Sequence, residues 1–332
     1  MEFIELGLYA IFARVLPERT LRVWTGRHPA DRLGEERTWW GPQRLLAFRR
    51  MLIEQNHRLL LCHAPDRDIP FGNGLAPLTF EIAMRYARPP IVGLDFNDRI
   101  FMTRRGLRLL DRSLIYFKRE LPIDRLRMLP RRATARHRAI LERNLHKLRP
   151  ISIGLGAGRL ADMPVPLPPK RSDIFFAGTV SNRNRIDGVP LLRKLQAMGV
   201  TVDLAETRLD RRSYLQRSAE ARLVWSPDGV GWDCFRHYEA GAVGSVPVMP
   251  RPWIEPYKPI LEGEMGFYYD PEGEDLIRVV TEALRNPERL SRMSEAARRH
   301  VLATHMHEQI IAYAIGEIDA AMRNVARERP AA

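Results

Sequence analysis

The sequence has little cysteine and no long apolar run. Cys62 and Cys234 are the two cysteines in 332 residues. They are too few for a disulfide framework or a cysteine-rich zinc site, and they favour a reducing, cytoplasmic setting. No apolar stretch approaches the roughly 20 residues that cross a bilayer, and Glu2 and Glu5 stand where a signal peptide carries positive charge. We therefore expect a cytoplasmic protein without a signal peptide or a membrane span.

Glycine and proline are too scarce for a fibrous or low-complexity chain. They number 22 and 25, while hydrophobic residues make up 45% and charged residues 28% of the sequence, as in ordinary globular proteins. A chain of 332 residues is long enough for about two domains. The stretch Met163–Lys170 contains four prolines, which cannot join a helix or a central strand. We therefore predict domains over residues 1–162 and 171–304, joined by an extended connector.

Acidic residues are in the minority, and the imbalance is concentrated in one segment. The net charge of the chain is +13. Between Arg99 and Arg149 there are 16 basic and four acidic residues, a net charge of +12. Such an excess indicates either a solvated arginine-rich surface or an anionic partner. Because the segment lacks interleaved aromatic side chains and a nucleic-acid-binding motif, we favour an anionic membrane surface on the cytoplasmic side, or a lipid-linked acceptor, over nucleic acid.

Short apolar runs alternate with helical patterns along the chain. This alternation predicts an α/β fold in which parallel sheets carry helices on both faces. Residues 3–16 are expected to form an amphipathic helix that ends at Pro17, and a later helix is expected to begin near Pro190. Ligands of such sheets lie at the carboxyl ends of the strands. The predicted strands are residues 21–24, 58–62, 91–95, 113–117, 173–177, 200–204, 223–226, 246–249 and 266–269.

A loop in the second half has the residues of a phosphate-binding loop. It follows the predicted strand 173–177. Gly178 lets the backbone approach a ligand closely, and Thr179, Ser181 and Arg183 have side chains that can bind phosphate oxygens. The loop therefore indicates a phosphate-binding segment or, alternatively, a plain strand-to-helix turn.

A predicted helix further along would meet this loop at the same edge of the sheet. Its start near Asp233 presents backbone N–H groups that favour an anion such as a diphosphate. Arg236 and Glu239 are three residues apart and share one helix face. An arginine in the first turn suits a diphosphate, and a glutamate one turn on can accept two hydrogen bonds from a ribose diol. The alternative is a surface ion pair between these two residues.

The order of motifs in the second half resembles a known family. DIFFAG with an arginine-containing loop, YEAGAVGSVPV, GFYYDPEGEDL and NPERLSRMSEAARRHV follow one another between Asp173 and Thr304. Together they resemble the C-terminal lobe of the group 1 glycosyltransferases of the GT-B architecture. The resemblance implies two Rossmann-like lobes whose parallel sheets face a central cleft, with a final helix, residues 305–328, that crosses back to the first lobe.

The resemblance also implies roles for residues of the second lobe. Glu239 would hold the donor ribose, and the loop 178–183 would lie against the diphosphate and the acceptor. Many of these enzymes have a second glutamate eight positions before the first, where this chain has Gly231. The sequence therefore identifies no acidic side chain that contacts the sugar, although Asp228 or Asp233 could take that place.

The first lobe is expected to supply the acceptor side. Asp95 and Asp98 follow a predicted strand, so either could act as the general base on an acceptor hydroxyl if the enzyme inverts configuration. The alternative is that they cap the next helix or pair with nearby arginines. Lys118 and Arg119 also follow a strand and could meet a phosphate there.

Patterns that bind metals are weak in this sequence. Asp66 and Asp68 have the spacing of a metal-binding DxD pattern, which is common by chance, and His305 and His307 lack further ligands at a suitable spacing. We therefore expect a metal-independent glycosyltransferase that needs no cofactor and moves a sugar from a nucleotide-diphosphate sugar to an acceptor hydroxyl. The alternative is a catalytically inactive module of the same fold that binds anionic lipid or nucleic acid through its basic segment.

Overall fold

The chain divides into two compact units. The computed structural model describes residues 1–6, 11–23, 42–54, 59–64, 76–180, 182–205 and 207–328. One unit comprises Met1–Ile151 and Ile311–Ala332, and the other comprises Ser152–Ile310. Among the described residues, no helix is both long and apolar enough to span a membrane.

The first unit is built on a parallel sheet. Buried aliphatic residues fill its central strands, as is typical of a parallel sheet that is covered on both faces. The strands lie in the order β2-β1-β3-β4-β5-β6. They are β1 (Phe3–Leu6), β2 (Thr20–Val23), β3 (Leu59–His63), β4 (Ile91–Asp95), β5 (Ile115–Lys118) and β6 (Leu148–Pro150).

Helices connect these strands and bury their apolar sides in one core. Leu60 on β3, Tyr116 on β5 and Leu110 on a connecting helix belong to the same buried cluster. Thr103 caps the helix that follows β4 by accepting a hydrogen bond from the Gly106 N–H. The helices that precede residue 151 are α1 (Ile11–Val15), α2 (Pro42–Glu54), α3 (Ala76–Tyr86), α4 (Arg104–Arg112) and α5 (Ala135–Arg143).

The second unit has a parallel sheet of the same design. Its strands lie in the order β11-β10-β9-β7-β8. They are β7 (Ser172–Ala177), β8 (Val202–Ala205), β9 (Ala221–Trp225), β10 (Val246–Pro250) and β11 (Phe267–Tyr269). The helices from this point on are α6 (Arg183–Ala197), α7 (Arg211–Glu220), α8 (Phe235–Ala242), α9 (Leu276–Leu284), α10 (Pro287–Thr304) and α11 (His307–Glu328).

The side chain of Trp225 organises the core of the second unit. Its ring centroid lies 4.6 Å from that of Phe176, and its Nε1 donates to the Tyr269 hydroxyl at 3.1 Å. A Cβ atom at Gly188 would lie 2.3 Å from the Trp225 ring. The glycine in the middle of α6 therefore lets this helix pack directly on the indole.

The final helix belongs to both units along its length. It begins in the second unit, and residues from Ile311 onward belong to the first. There the Tyr313 ring packs edge-on against Phe117 at 6.0 Å, and Glu317 accepts from Arg149 Nε at 2.6 Å. An aromatic contact and a half-buried ion pair thus fix this end of α11 to β5 and β6.

Strand order reverses at one point in each sheet. In the first unit β2 and β3 flank β1, and in the second unit β8 and β9 flank β7. Connections leave such a strand pair in opposite directions, which opens a crevice at the carboxyl ends where ligands of this fold class bind. The carboxyl ends of β7 and β9 therefore form a candidate ligand site in the second unit.

The N-terminal segment differs from its predicted form. A helix over residues 3–16 was expected, but residues 3–6 form β1; α1 covers Ile11–Val15, and residues 7–10 lie outside the described residues. Phe3 is fully buried and Glu5 reaches His63 on the neighbouring strand. The periodicity of a short apolar run does not distinguish a buried strand from a helix. Here the pairing of residues 3–6 with β2 and β3 makes the segment a strand.

Two helix boundaries were also wrong. The helix expected near Pro190 begins at Arg183, capped by Asn182, and carries Pro190 in its interior. The spacing of Leu141, Leu145 and Leu148 also predicts a helix over residues 133–148, but α5 ends at Arg143 and Leu148–Pro150 is strand β6. Helix α4 was not predicted, because its arginines leave few apolar positions for a periodic pattern. The α/β class and the parallel sheets are confirmed.

Candidate functional site

Two arginines meet at the carboxyl ends of β7 and β9. Arg236, in the first turn of α8, donates to the carbonyl oxygens of Ala177 and Pro227, at 3.3 Å each. Its guanidinium lies 5.3 Å from the centroid of the Phe176 ring. Its Nε atom is buried and has no hydrogen-bond partner among the described residues. The protein thus orients this cation by two carbonyls and leaves part of its donor capacity unused.

Arg185 brings a second guanidinium close to the first. Its Nη1 donates to the Thr179 carbonyl at 3.1 Å, and its buried Nε also lacks a partner in the described part of the chain. Burial and the positive charge of Arg236 lower the pKa of Arg185. A like-charged pair in partial burial is unfavourable unless an anion shares it. The arrangement therefore suits an anion that accepts hydrogen bonds from both guanidinium groups, as a diphosphate can.

The backbone at Gly178 leaves room for these side chains. A Cβ atom at this position would lie 3.1 Å from Arg236 Nη2. Any other residue would force that guanidinium to shift. The glycine expected to admit a ligand thus admits the arginine that faces it.

Asn182 connects the start of α6, the helix that carries Arg185, to the loop that precedes α8, the helix that carries Arg236. Its Oδ1 accepts from the Arg185 N–H at 3.1 Å and so caps α6. Its Nδ2 donates to the carbonyls of Asp228 and Gly229, at 3.2 and 3.1 Å. One side chain therefore fixes the start of α6 against the loop that precedes α8.

The N-terminus of α8 lies beside the arginine pair. Cys234 is its N-cap and makes no side-chain capping hydrogen bond. No acidic residue occupies its first turn, so the partial positive charge of the helix end is not neutralised there. This adds to the positive potential around Arg236.

Glu239 lies one turn further along α8 and is already paired. It is buried, and its Oε1 accepts from Arg159 Nη1 at 2.7 Å. The Arg159 guanidinium stacks on the Phe235 ring, 3.4 Å from its centroid. The carboxylate predicted to hold a ribose is thus held in place by an arginine of the segment before β7.

Asp233 serves the packing of the second unit. Its Oδ2 accepts from the Ile153 N–H at 2.7 Å, and its Oδ1 accepts from Ser152 Oγ at 3.3 Å and from the Tyr238 hydroxyl. The helix begins beyond it, with Cys234 as the N-cap. An aspartate just before a helix is a common N-cap, but Asp233 does not cap α8, because its carboxylate is engaged by residues 152–153 and by Tyr238.

Two buried histidines support the site from behind. His237 donates from Nε2 to the Trp232 carbonyl at 2.7 Å, and its Nδ1 accepts from the Ser226 hydroxyl at 2.7 Å. Burial lowers the pKa of His237 to about 4 and that of His305 to about 3. His305 stacks on Tyr238 at 4.2 Å and donates from Nε2 to the Lys258 carbonyl at 2.9 Å. Both imidazoles are therefore neutral and structural at neutral pH.

The remaining predicted donor-binding residues lie in different environments. Thr179 is exposed and contributes its carbonyl to Arg185. The Arg183 side chain is 87% exposed and pairs with Asp187 on its own helix. Ser181 lies outside the described residues, as do Asp66 and Asp68. Donor-binding roles for Thr179, Ser181 and Arg183 stay predictions.

Sequence reasoning missed Arg185, Arg159 and Asn182. Placing the helix start at Pro190 left residues 178–188 as a loop, in which no arginine was distinguished from its neighbours. An asparagine three residues before Arg185 is a capping signal and could have located both. Arg159 had no local signal, since its contact with Glu239 spans 80 residues.

Asp95 and Asp98 occupy contrasting positions in the first unit. Asp95 is buried, and its Oδ2 accepts from Lys118 Nζ at 2.9 Å and from the Tyr116 hydroxyl at 3.2 Å. Asp98 is half exposed and pairs with the buried Arg119. Asp95 also lines a small pocket with Asn97. The roles of both acids as general bases stay predictions.

The described residues contain no group of three or more histidine, cysteine, aspartate or glutamate side chains that could hold a metal ion. Among charged side chains with spare hydrogen-bonding capacity, the arginine pair at β7 and β9 is the clearest candidate for a ligand. That ligand would be an anion.

Comparison with known proteins gave no match to a protein-family model and none to a curated protein sequence. Solved structures match over nearly the whole chain. Sucrose-phosphate synthase from Thermosynechococcus elongatus is 12% identical, with 98% of this chain and 100% of that chain covered and a TM-score of 0.59. HepE from Anabaena, solved in complex with UDP, is 13% identical, with coverages of 96% and 100% and a TM-score of 0.59.

A glycosyltransferase from Rickettsia africae shows the same likeness. It is 8% identical, with 97% of this chain and 99% of that chain covered and a TM-score of 0.62. Identities this low establish the fold and leave activity open. Two doubly wound parallel sheets with these structural neighbours show that the chain has the GT-B glycosyltransferase fold.

Proposed function

We propose that this protein is a glycosyltransferase that binds the diphosphate of a nucleotide-diphosphate sugar with Arg185 and Arg236. The observation that carries the proposal is the pairing of two guanidinium groups at the point where strand order reverses. Each has a buried Nε without a partner in the described chain. A diphosphate supplies two anionic groups and enough acceptor oxygens for both.

The chemistry of the reaction favours such a pair. Cleavage of the bond between sugar and phosphate leaves negative charge on the departing diphosphate. Two guanidinium groups and the uncapped start of α8 would stabilise that charge where it develops. In this proposal they take the electrostatic role of a divalent metal, so transfer proceeds without one.

Glu239 is positioned to bind the ribose of the donor. It lies one turn after Arg236 on the same helix, so a diphosphate bound by Arg236 would bring the ribose of the donor toward Glu239. The pair with Arg159 fixes one carboxylate oxygen at 2.7 Å. The other oxygen can then accept from a ribose hydroxyl. The complexes of HepE with UDP and with UDP-glucose support a uridine nucleotide as the first donor to test.

On the acceptor side, exposure separates the two candidate bases. A general base must reach the hydroxyl from which it takes a proton. Asp98 is half exposed, whereas Asp95 is buried beneath Lys118 and Tyr116. If the reaction inverts configuration, we assign the base to Asp98 and a positioning role to Asp95.

Thermal unfolding against a panel of nucleotides and nucleotide sugars, with and without EDTA, tests the proposal. A ligand at 100 times its Kd stabilises the fold by about 2.7 kcal/mol. We expect a shift in midpoint with one nucleotide family that EDTA leaves unchanged. Arg185→Gln and Arg236→Gln should each abolish it, whereas Lys194→Gln, on the exposed side of α6, should not.

Two outcomes would count against the proposal. Absence of a shift with every nucleotide would favour an inactive module of this fold. A shift that requires a divalent metal would show that the arginine pair does not replace one. Arg183→Gln in the same series tests the sequence prediction for that residue directly.

A further inference from the structure

The first unit carries exposed apolar side chains within its most basic region. Ile123 is 65% exposed, Leu126 is 44% exposed and Phe101 is 42% exposed. They lie within the segment 99–149, whose net charge is +12. Single exposed apolar residues are common on protein surfaces. Three of them within one predominantly basic segment, with exposed Asp124 between Ile123 and Leu126, form a less common arrangement, and exposed apolar groups of this kind mark interaction sites.

The loop that carries Ile123 and Leu126 is firmly anchored. Leu121 and Met128, on either side, are fully buried in the core of the first unit. Asp124 caps the short 3-10 helix between them by accepting from the Leu126 N–H at 3.0 Å. The two aliphatic side chains therefore project from a fixed backbone, and their exposure is not the result of a loose loop.

A second segment runs beside this loop. The Met102 N–H donates to the Met128 carbonyl at 2.7 Å, which brings Phe101 alongside the 3-10 helix. The Arg99 guanidinium lies 5.4 Å from the centroid of the Phe101 ring. An aromatic ring thus joins the two aliphatic side chains. We name Phe101, Ile123 and Leu126 together the apolar tip.

Exposed arginines flank the apolar tip in the sequence. Arg104, Arg127, Arg131 and Arg132 are exposed. Exposed Arg136 continues this surface in the first turn of α5, which contains no acidic residue. Positive side chains at helix starts oppose the helix dipole and reduce stability. An anionic surface that faces these side chains would offset this cost.

We propose that the apolar tip and the flanking arginines bind the surface of an anionic lipid bilayer. Ile123, Leu126 and Phe101 insert at the level of the acyl boundary, and the arginines contact lipid phosphates. Apolar insertion combined with basic contacts is the pattern of peripheral membrane binding. This inference does not depend on the donor site of the second unit.

The side chains at the tip favour lipid over nucleic acid. Proteins that bind single strands stack bases on several aromatic side chains. Here two of the three exposed apolar residues are aliphatic, and an isoleucine on a protruding loop has no hydrogen bond to offer a base. Their transfer into an acyl region is favourable because it removes apolar area from water.

Cosedimentation of the full chain with vesicles tests the proposal. The vesicles are phosphatidylcholine alone, or phosphatidylcholine with phosphatidylglycerol. Ile123→Ser combined with Leu126→Ser removes the aliphatic part of the tip, and Arg131→Gln combined with Arg132→Gln removes two charges. Matched controls are Met198→Ser, an exposed apolar residue of the second unit, and Arg292→Gln with Arg299→Gln on α10. Unfolding curves establish that each variant folds.

We expect binding to anionic vesicles only, weakened by salt. The variant Arg131→Gln with Arg132→Gln should bind the vesicles about 25-fold more weakly, since each arginine near an anionic surface contributes roughly fivefold to the affinity. The variant Ile123→Ser with Leu126→Ser should lose at least tenfold in affinity for the vesicles, and the control variants should bind as the unaltered chain does. Fluorescence anisotropy with a single-stranded and a duplex oligonucleotide runs in parallel.

Three results would overturn the proposal. The first is no binding to anionic vesicles at low salt. The second is weaker vesicle binding by the variant Arg131→Gln with Arg132→Gln but unchanged binding by the variant Ile123→Ser with Leu126→Ser. That result would mean that the protein adsorbs to the surface by charge without insertion. The third is tighter binding to either oligonucleotide than to vesicles, which would assign this surface to nucleic acid.

Discussion

At the scale of single residues, side chains that are close in sequence have different structural environments. Arg183 and Arg185 are two positions apart, yet one is 87% exposed and the other has a buried Nε. Glu239 was identified from its spacing to Arg236, and the structure places it on the same helix. Helix spacing is local and can be read from sequence, whereas the partners that orient an arginine are distant and cannot.

Replacing Asp95 by Asn should destabilise the first unit strongly. The variant leaves the fully buried Lys118 ammonium without its carboxylate, and breaking a buried pair in this way costs about 3–5 kcal/mol. Urea unfolding measures the difference. Asp98→Asn is the comparison, because its half-exposed pair with Arg119 should be worth about 1 kcal/mol or less. Equal losses for the two variants would contradict the assignment of Asp95 as a structural ion pair.

The buried histidines predict a loss of stability in mild acid. Their pKa values fall from 6.5 to about 4 for His237 and about 3 for His305. The unfolded chain therefore takes up protons below pH 6.5 that the folded chain excludes, and stability is full above pH 6.5. At pH 5 each histidine should account for about 2 kcal/mol of lost unfolding free energy.

Denaturant unfolding at pH 7.5 and pH 5 measures this effect. In His237→Gln the difference between the two pH values should shrink by about 2 kcal/mol, even though the variant is less stable at both. An unchanged difference would mean that His237 titrates normally in the folded protein.

At the scale of elements, most strands were predictable, whereas β1, β6 and the start of α6 were not. Strand β4 lies where the apolar run placed it, at Ile91–Asp95. Helix α6 begins seven residues before Pro190, because Asn182 caps it and the packing of Gly188 on Trp225 holds it. A proline marks a permitted helix start, but tertiary contacts can extend a helix through it.

Loss of the α6 cap should weaken nucleotide binding as well as stability. Asn182→Ala removes the capping bond and both bonds to the 228–229 loop, which should cost about 1–2 kcal/mol. Because Asn182 positions Arg185, the Kd for a nucleoside diphosphate should also rise severalfold. Asp210→Ala is the matched control, since Asp210 caps α7 by accepting from the Ser213 N–H. It should lose similar stability and leave the Kd unchanged. Equal effects of both variants on the Kd would contradict the positioning role of Asn182.

At the scale of the whole molecule, alternation of strands and helices was enough to predict the class. Apolar runs separated by helices predict parallel sheets, which the structure confirms, whereas the order of the six and the five strands comes from the structure alone. The resemblance of the second half to group 1 glycosyltransferases agrees with the GT-B fold of the solved neighbours. The contact of Arg159 with Glu239 lay beyond sequence reasoning. It depends on the path of a segment that forms neither a long helix nor a strand.

The proposed contact between Glu239 and the donor ribose connects fold to function. Glu239→Ala should raise the KM for the nucleotide sugar at least tenfold, because a hydrogen bond to a carboxylate contributes about 1.5–3 kcal/mol. Steady-state kinetics with the donor found in the thermal panel measures it. The same variant should leave kcat within a few fold, since the ribose contact is made before and during transfer. A large fall in kcat at constant KM would place Glu239 in the chemical step.

The central claim is that Arg185 and Arg236 bind a diphosphate, and calorimetric titration tests it most directly. UDP and UMP are titrated in the presence of EDTA into the unaltered protein and into the double variant Arg185→Gln with Arg236→Gln. We predict that the unaltered protein binds UDP at least tenfold more tightly than UMP, because the second phosphate gains charge-assisted hydrogen bonds. In the double variant the two affinities should become equal. The same preference for UDP in both proteins would contradict the account.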